Sequence, residues 1–228
     1  MKKTLLSWSS GKDSAWAFHL LRQSPGLEVV GLFTVVNRAC QRVSMHATRM
    51  DLLHRQADAV DLPLQIIQLP DPCTKEECDA LMSDFVATSA SKGIECMAYG
   101  DLFLEDIRNY RESQLKGTRI EPLFPLWRIP TGDLAERMIS AGLEAYVSSV
   151  DLKKLPAGFA GRKWGRELIA EFPKGIDPCG ENGEIHTVVV AGPMFREAIP
   201  VTVGEVVERD GFAYADILSI RNHGRTDG

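Results

Sequence analysis

The chain of 228 residues is long enough for one substantial domain, or for a domain with a smaller lobe, and its 44% apolar residues suffice for a hydrophobic core. Its net charge is −5, from 26 basic and 31 acidic residues, which argues against a large nucleic-acid partner because such binders usually carry a basic excess. No segment offers the roughly 18 apolar residues that a membrane span needs, and the N-terminus lacks the pattern of a signal peptide, so we expect a cytoplasmic protein with no membrane partner.

Strands and helices are predicted to alternate along the first part of the chain. β-Branched and apolar runs indicate strands, and apolar positions three and four residues apart indicate helices. In chain order we predict a strand at Thr4–Trp8, a helix at Ser14–Gln23, a strand at Glu28–Val36, a helix at Met45–Asp61, a strand at Leu64–Leu69, a helix at Thr74–Lys92 with Thr74 as N-cap, a strand at Cys96–Tyr99, a helix at Asp133–Ser140 and a strand at Ala145–Val150. This alternation predicts a doubly wound α/β fold, in which helices cover both faces of a parallel sheet.

The character of the sequence changes near residue 155. From there the chain is richer in Gly, Pro and short β patterns, with strands predicted at Thr187–Val190, Val201–Val207 and Ala213–Ser219. We interpret residues 1–100 as a nucleotide-binding half and residues 101–228 as a smaller α+β substrate lobe, from which the strand 145–150 returns to the parallel sheet. The polar tail His223–Gly228 is expected to fray.

The cysteines give little indication of a metal site. There are five, Cys40, Cys73, Cys78, Cys96 and Cys179, and no two form a CxxC pair. Cys73 and Cys78 lie five residues apart, without a second Cys or His pair at the spacing of a zinc finger. We expect reduced thiols, mostly buried.

The segment Ser9–Ser14, Ser-Ser-Gly-Lys-Asp-Ser, lies between the first predicted strand and the first helix. Such a turn directs free backbone N–H groups, and the positive end of the helix dipole, toward a bound anion. Gly11 allows close approach of the backbone, Lys12 adds charge, and the three serines add hydroxyl groups. The segment is not a Walker A loop, because Leu6 occupies the first glycine position and Asp13 follows the lysine. The alternative is a polar helix N-cap without a ligand.

The same segment resembles the PP-loop of N-type ATP pyrophosphatases, S-G-G-x-D-S after the first strand, with Ser10 where that pattern has Gly. The resemblance implies a fold like that of the adenine nucleotide alpha hydrolases (HUP-type) and cleavage of ATP to AMP and pyrophosphate. It further implies that Lys12 and the loop amides stabilise the leaving pyrophosphate and that Mg²⁺, with Asp13 as a ligand, offsets the phosphate charge. The end of the second strand, from Thr34 to Asn37, is then expected to hold adenine or ribose.

Two later segments carry polar side chains. Gly100-Asp101 follows the fourth predicted strand, at the carboxyl edge of the sheet, and a charged run from Glu105 to Glu112 comes next. That run alone is typical of a solvated helix face. Within the segment Asp177–Thr187, the residues from Glu181 to His186 place two carboxylates, an amide and an imidazole on a glycine-rich turn. This set suits a site that orients a polar substrate or accepts a proton, although Asn182-Gly183 alone indicates a hairpin turn.

Five segments occur in the order seen in the diphthine–ammonia ligase family of PP-loop ATP-binding proteins, a resemblance that extends to about Pro193. They are Ser9–Ser14, Gly100-Asp101 with Arg108 and Arg111, Pro122–Trp127, Val147–Arg162 and Gly180–Thr187. Active members of the family adenylate the carboxylate of diphthine on elongation factor 2, and ammonia then displaces AMP to give an amide. The chain is identified as a divergent member, because Asn182 stands where the family has Gly, and Ile185-His186 where it has an aromatic residue and Glu.

The resemblance implies an AMP-forming ligase that uses ATP, Mg²⁺, ammonia or an ammonia donor, and a carboxylate acceptor that is either a protein side chain or a small metabolite. It assigns catalytic roles to Lys12, Asp13, Glu181, Glu184 and His186. It assigns nucleotide contacts to Ser9, Ser10, Gly11, Lys12, Asp13, Ser14, Thr34, Gly100 and Asp101. It assigns substrate contacts to Arg108, Arg111, Glu112, Trp127, Arg162 and Asn182.

Other functions stay open at this point. A tRNA-modifying PP-loop enzyme would need a pair of catalytic cysteines or a basic surface, and Cys179 has no obvious partner thiol. A non-catalytic ATP sensor would not need the polar set between Glu181 and His186, and His186 itself could be a structural histidine. The sequence leaves the acceptor, the ammonia source and the oligomeric state open, with a homodimer as one option.

Overall fold

The computed structural model describes residues 1–37, 42–43 and 48–220. Cys40, the first residues of the predicted helix Met45–Asp61 and the predicted tail His223–Gly228 lie outside these ranges. Among the described residues, no helix is both long enough and apolar enough to cross a bilayer.

The first sheet is parallel except for one short strand. Its strands are β1 (Lys2–Ser7), β2 (Leu27–Asn37), β3 (Arg42–Val43), β4 (Leu64–Leu69), β5 (Cys96–Ala98) and β6 (Glu121–Leu123). Five of them run parallel in the order β4-β2-β1-β5-β6, and β3 pairs antiparallel with the end of β2. The predicted doubly wound α/β fold is thereby confirmed, and the sheet extends past residue 100 through β6, which the sequence analysis did not identify as a strand.

Helices cover both faces of this sheet because neighbouring residues of a strand point to opposite sides. The helices are α1 (Lys12–Leu21), α2 (Met50–Val60), α3 (Lys75–Ser91), α4 (Glu105–Leu115), α5 (Thr131–Ser140) and the short α6 (Arg166–Ala170). Leu5 of β1 packs in a cluster with Val86 of α3 and Leu115 of α4. Its neighbour Leu6 packs in the other cluster, with Phe18 of α1.

A second, smaller sheet is antiparallel and lies in the C-terminal part of the chain. Its strands are β7 (Glu144–Asp151), β8 (Lys163–Trp164), β9 (Ile185–Ala191), β10 (Val201–Arg209) and β11 (Phe212–Ser219). They are arranged as β10-β11-β7-β8, with β9 paired to β7. Helix α1 contacts β1, β2 and β9, and α2 contacts β11, so these helices join the two sheets. The predicted smaller C-terminal lobe is confirmed in this form.

The strand predicted at 145–150 does not return to the parallel sheet, and that prediction was wrong. This strand, β7, is the central strand of the second sheet, with β9 and β11 as antiparallel neighbours. A strand that is buried over most of its length suits the centre of either sheet, so its own pattern could not distinguish the two sheets. Its partners follow it in the chain and are available for antiparallel pairing.

Two local features concern the predicted caps and cysteines. The predicted N-cap Thr74 begins α3 with a full capping box, in which its hydroxyl accepts from the backbone N–H of Glu77 and the Glu77 carboxylate accepts from the backbone N–H of Thr74. Cys73 and Cys78, which flank this turn with Cα atoms 6.2 Å apart, form a disulfide rather than the expected reduced thiols. Cys96 and Cys179 are free and buried.

Candidate active site

A cavity of about 550 Å³ opens at the carboxyl ends of β1, β2, β4 and β5. Parallel sheets bind ligands at this edge, because the strand-to-helix loops converge there. One part of the cavity wall is polar and consists of Ser9, Lys12, Asp13, Ser14, Asp101, Arg111, Glu181 and His186. The other part is largely apolar and consists of Phe33, Thr34, Val35, Leu69, Met82, Tyr99, Ile107 and Tyr110.

The loop from β1 to α1 is fixed at Ser10. Ser10 adopts a left-handed backbone conformation, with φ of 73°, which favours glycine. Its carbonyl accepts hydrogen bonds of 3.0 Å from Gln56 Nε2 and from the backbone N–H of Val189, and its hydroxyl lies 2.6 Å from that of Thr48. Ser10 is therefore fully buried and, like Gly11, does not line the cavity.

Gln56 connects this loop to both sheets. Its side chain is fully buried, and its Oε1 accepts a 2.9 Å hydrogen bond from Trp8 Nε1. Its Nε2 donates to the carbonyls of Ser10 and Val189, at 3.0 and 2.7 Å. Gln56 was not predicted as a site residue, because in the sequence it is one polar residue among several in an amphipathic helix.

Lys12 begins α1 and extends into the polar end of the cavity. Its side chain is only 2% exposed, and its Nζ lies 2.9 Å from Asp13 Oδ2 and donates to the carbonyl of Cys179. Burial acts to lower the pKa of Lys12, but the nearby Asp13 and Glu181 carboxylates oppose burial and leave that pKa above its usual value. Lys12 is therefore a buried ammonium group inside a ligand-sized cavity.

Asp101 and Arg111 face each other across the cavity wall without a direct hydrogen bond. Arg111 Nε lies 3.7 Å from Asp101 Oδ2, and neither buried atom has a hydrogen-bond partner. The guanidinium lies 5.1 Å from the centre of the Tyr99 ring. Burial raises the pKa of Asp101, an effect that the charge of Arg111 opposes. A donor and an acceptor at this separation suit a bridging water or a polar ligand.

Glu181 is the strongest candidate for a proton acceptor. Its Oε1 accepts a 2.8 Å hydrogen bond from the backbone N–H of Leu102, and its own N–H donates to Asp177 Oδ2 at 2.8 Å. Burial raises the pKa of Glu181 to about 7, and the nearby Asp13 and Asp101 act in the same direction. A carboxyl group with a pKa near neutrality can both accept and release a proton at the working pH.

Glu184 and Asn182 hold the turn that carries Glu181. Glu184 is 2% exposed, and its Oε1 accepts from Asn182 Nδ2 at 3.1 Å and from the backbone N–H of Asp177 at 3.4 Å. Neither Glu184 nor Asn182 lines the cavity. Asp177, to which no role was assigned from the sequence, connects the two residues: its backbone N–H donates to the Glu184 carboxylate, and its own carboxylate accepts from the backbone N–H of Glu181.

The end of this segment reaches the start of α1. The hydroxyl of Thr187 accepts a 3.2 Å hydrogen bond from the backbone N–H of Lys12, and His186 lines the cavity beside it. Gly100, on the opposite side, lies so close to α1 that an added Cβ would come within 2.9 Å of the backbone nitrogen of Ser14. Gly100 therefore allows the end of β5 and the first turn of α1 to approach each other.

Most of the predicted substrate-binding residues lie away from the cavity. The Arg108 guanidinium lies between the rings of Phe124 and Trp127, 4.8 and 4.7 Å from their centres, and pairs with Glu112. Arg162 pairs with Glu171 on the surface. Of the six residues in that set, which also includes Asn182, only Arg111 lines the cavity.

Carboxylate oxygens in the cavity fit a magnesium ion that is shared with phosphates. Among the described residues, no group of three or more His, Cys, Asp or Glu side chains could hold a metal ion alone. Mg²⁺ usually takes one or two carboxylates together with phosphate and water oxygens, so such a group is not required. Asp13 Oδ1 and Asp101 Oδ2 are buried oxygens without a hydrogen-bond partner and are suited to that role.

Two models of known protein families match this chain, one in each part. Residues 1–116 match the diphthamide synthase N-terminal domain, and residues 130–223 match the diphthamide synthase C-terminal domain. The human diphthine–ammonia ligase is 27% identical over 239 residues, covering 93% of this chain and 88% of that protein. The rat diphthine–ammonia ligase is 27% identical over 157 residues, covering 67% of this chain.

The matched lengths differ among these relatives. The chain spans 59% of the rat protein. For the diphthine–ammonia ligase of Schizosaccharomyces pombe, which is 25% identical over 220 residues, the match covers 88% of this chain but only 36% of the relative. Since one family model matches more than half of the chain and the other most of the remainder, the chain belongs to the diphthamide synthase family, as a divergent member related to the diphthine–ammonia ligases.

Proposed function

We propose that the protein binds ATP in this cavity, transfers AMP to the carboxylate of an acceptor, and lets ammonia displace AMP to form an amide. The observation that carries the proposal is the composition of the polar end. A buried ammonium group, Lys12, an unpaired guanidinium nitrogen of Arg111 and a carboxyl group with a pKa of about 7, Glu181, line one cavity. These groups suit an anionic substrate and a proton transfer.

The two ends of the cavity suit the two ends of ATP. The N-terminus of α1 and Lys12 favour the pyrophosphate portion, because the positive end of the helix dipole and the charge of the ammonium group converge there. Arg111 adds a second cation, while Ser10 and Gly11 shape the loop without entering the cavity. The apolar end, with Phe33, Tyr99 and the predicted contact Thr34, fits the adenine base.

In the first step, a carboxylate oxygen of the acceptor attacks the α-phosphorus of ATP. The bond from the α-phosphorus to the bridging oxygen breaks, and pyrophosphate leaves with that electron pair. Lys12 and the amides of the α1 N-terminus stabilise the charge on the leaving group. Mg²⁺, held by Asp13 and Asp101, would supply further neutralisation of the phosphates when it is bound.

In the second step, ammonia attacks the acyl carbon, and the carbon–oxygen bond to AMP breaks, so that AMP leaves with that electron pair. The newly bonded nitrogen then releases a proton to water, which leaves the neutral amide. Ammonium must lose a proton before its nitrogen can attack, and Glu181 takes this proton because its carboxylate form becomes available near neutral pH. Glu184, which does not line the cavity, acts as a positioning residue for Glu181 through Asp177 and Asn182. His186 lines the cavity and contacts the acceptor.

The relatives suggest the acceptor. They are named diphthine–ammonia ligases, and we propose diphthine as the first acceptor to test, in the cytoplasm. Of the departures from the family pattern, Ile185 and His186 line the cavity at the start of β9, and Asn182 lies in the preceding turn. A small carboxylate metabolite is therefore the alternative acceptor, and the experiment includes it as a separate arm.

The test is an assay of α-labelled ATP with Mg²⁺ and ammonium, in which AMP is resolved from ADP. One arm contains elongation factor 2 that carries diphthine, and a second arm contains a metabolite extract. Lys12→Ala is the inactive variant. Arg162→Ala is the matched control, because Arg162 makes an exposed ion pair away from the cavity.

We expect AMP and pyrophosphate that depend on an acceptor and on Lys12 and that are unchanged by Arg162→Ala. The arm that supports turnover identifies the acceptor class. Formation of ADP and phosphate would contradict the proposed bond cleavage. Tight ATP binding without turnover in either arm would favour a nucleotide sensor instead.

A further inference from the structure

We propose that two copies of the chain join through β10, antiparallel and about a twofold axis at Val207, to form one continuous sheet. The proposal concerns a surface apart from the cavity and does not depend on the proposed reaction. It rests on the unpaired edge of β10, the direction of its peptide groups and the order of its charged residues.

Strand β10 forms an edge of the second sheet. Among the described residues, it pairs with β11 on one side and with no other strand. Three of its apolar side chains, Val203, Val206 and Val207, are 39%, 42% and 44% exposed. An edge strand of this length presents unpaired N–H and C=O groups to any strand that can align with it.

The hairpin turn determines which peptide groups face outward. Asp210 and Gly211 both have positive φ, 52° and 80°, as in the two-residue type I′ turn, and Arg209 pairs with Phe212 directly beside it. In such a hairpin the flanking pair exchanges both backbone hydrogen bonds, and the pattern alternates along the strand. Arg209 and Val207 therefore direct their peptide groups toward β11, and Glu208 and Val206 direct theirs toward the free edge. The register with β11 shifts between Val203 and Val206, so this alternation is regular from Val206 to Arg209.

One alignment of the two strands pairs the outward-directed peptide groups with each other and also places oppositely charged side chains across from each other. With the axis at Val207, the outward groups of Val206 meet those of Glu208 of the second copy. On the other face, Glu205, which lies at the register shift directly before the regular part of the strand, comes opposite Arg209 of the second copy, and the twofold axis repeats this pair. Opposite charges directly across a strand pair are stabilising, and like charges are destabilising.

Neighbouring alignments lack this complementarity. A shift that places the axis at Glu208 puts the two Glu208 side chains opposite each other, and an axis at Glu205 does the same for Glu205. An axis at Val206 leaves Glu205 opposite Val207 and forms no ion pair. The order Glu205-Val206-Val207-Glu208-Arg209 therefore selects one register.

Pairing of β10 would leave the cavity open. No residue of β10 or β11 lines it. Variants in β10 can therefore be checked for intact folding by thermal unfolding, independently of their effect on association.

The test is sedimentation velocity over a concentration series of the full chain. We expect a reversible dimer, and we expect Glu205→Arg or Arg209→Glu alone to weaken it by roughly tenfold or more, because each reversal turns two attractive pairs into repulsive ones. The double variant E205R/R209E should restore the dimer. Val206→Pro provides a second probe, since it removes an outward N–H while sparing the bonds to β11.

Two outcomes would overturn the proposal. A chain that stays monomeric at every concentration would show that the edge does not self-associate. A dimer that tolerates both single reversals and Val206→Pro would have to use another surface.

Discussion

The ammonium group of Lys12 donates a hydrogen bond to the main-chain carbonyl of Cys179, a residue 167 positions later in the chain. This contact joins the start of α1 to the turn that carries Glu181. Because the acceptor is a backbone atom, the contact does not depend on which side chain occupies position 179. The thiol itself points elsewhere, toward the carbonyl of Thr131 at 3.4 Å.

Cys179→Ser should therefore retain ATP turnover within about threefold of wild type. Burial raises the pKa of the Cys179 thiol far above its usual value, so the thiolate is not available as a nucleophile. Serine keeps a donor for the Thr131 carbonyl. The measurement is AMP formation with the best acceptor from the two arms above, and a loss comparable to that of Lys12→Ala would instead favour thiol chemistry of the tRNA-modifying type.

Two arginines on α4 provide a matched pair. Arg111 lines the cavity, and Arg111→Ala should lower kcat by about 10², as expected when a donor to developing phosphate charge is removed. Arg108 lies between Phe124 and Trp127, so Arg108→Ala should leave kcat unchanged and lower the free energy of unfolding by about 1 kcal/mol through lost cation–π contacts. Steady-state kinetics and urea unfolding of both variants separate these effects. The reverse pattern would mean that Arg108 is the phosphate ligand.

The same helix shows what sequence could have predicted. The cavity-lining residues Ile107, Tyr110, Arg111 and Gln114 recur at intervals of three and four, whereas Arg108 and Glu112 lie on a different face. Helical periodicity could therefore have distinguished Arg111, on the cavity-lining face of α4, from Arg108 on a different face. The alternation of strands and helices predicted the parallel sheet and the edge at which the cavity opens. The loop after β1 was predicted there too, although α1 begins at Lys12 rather than at the predicted Ser14.

Other features depended on long-range pairing that the sequence does not reveal. The choice of sheet for β7 was decided by β9 and β11, whose pairing with it involves residues far apart in the chain. Glu181 and Glu184 are both carboxylates on one short turn, and only the three-dimensional path of that turn directs one into the cavity and the other into the protein.

The pKa of Glu181 gives a pH dependence with a definite sign. Burial raises this pKa to about 7, so the carboxylate form increases as pH rises through that value. If Glu181 takes a proton from ammonium, its contribution to the rate of amide formation should rise with pH and level off above about 7. Free ammonia also increases with pH, and Glu181→Gln provides the control, because glutamine still accepts from Leu102 but cannot take the proton. The rise that is specific to Glu181 is the difference between the two profiles, and parallel profiles would exclude this role.

Ser10 occupies a backbone conformation that the PP-loop pattern reserves for glycine. Two substitutions separate the strain from the hydrogen bond, since Ser10→Gly and Ser10→Ala both remove the hydroxyl that bonds Thr48, but only glycine adopts φ of 73° without steric cost. We expect Ser10→Ala to lower the free energy of unfolding by about 1–2 kcal/mol, because the buried Thr48 hydroxyl loses its partner. Ser10→Gly should be more stable than Ser10→Ala by about 1 kcal/mol, the relief of the left-handed conformation. Thermal unfolding and ATP affinity of both variants test this, and equal losses in the two would indicate that Gln56 and Val189, rather than the residue at position 10, determine the loop geometry.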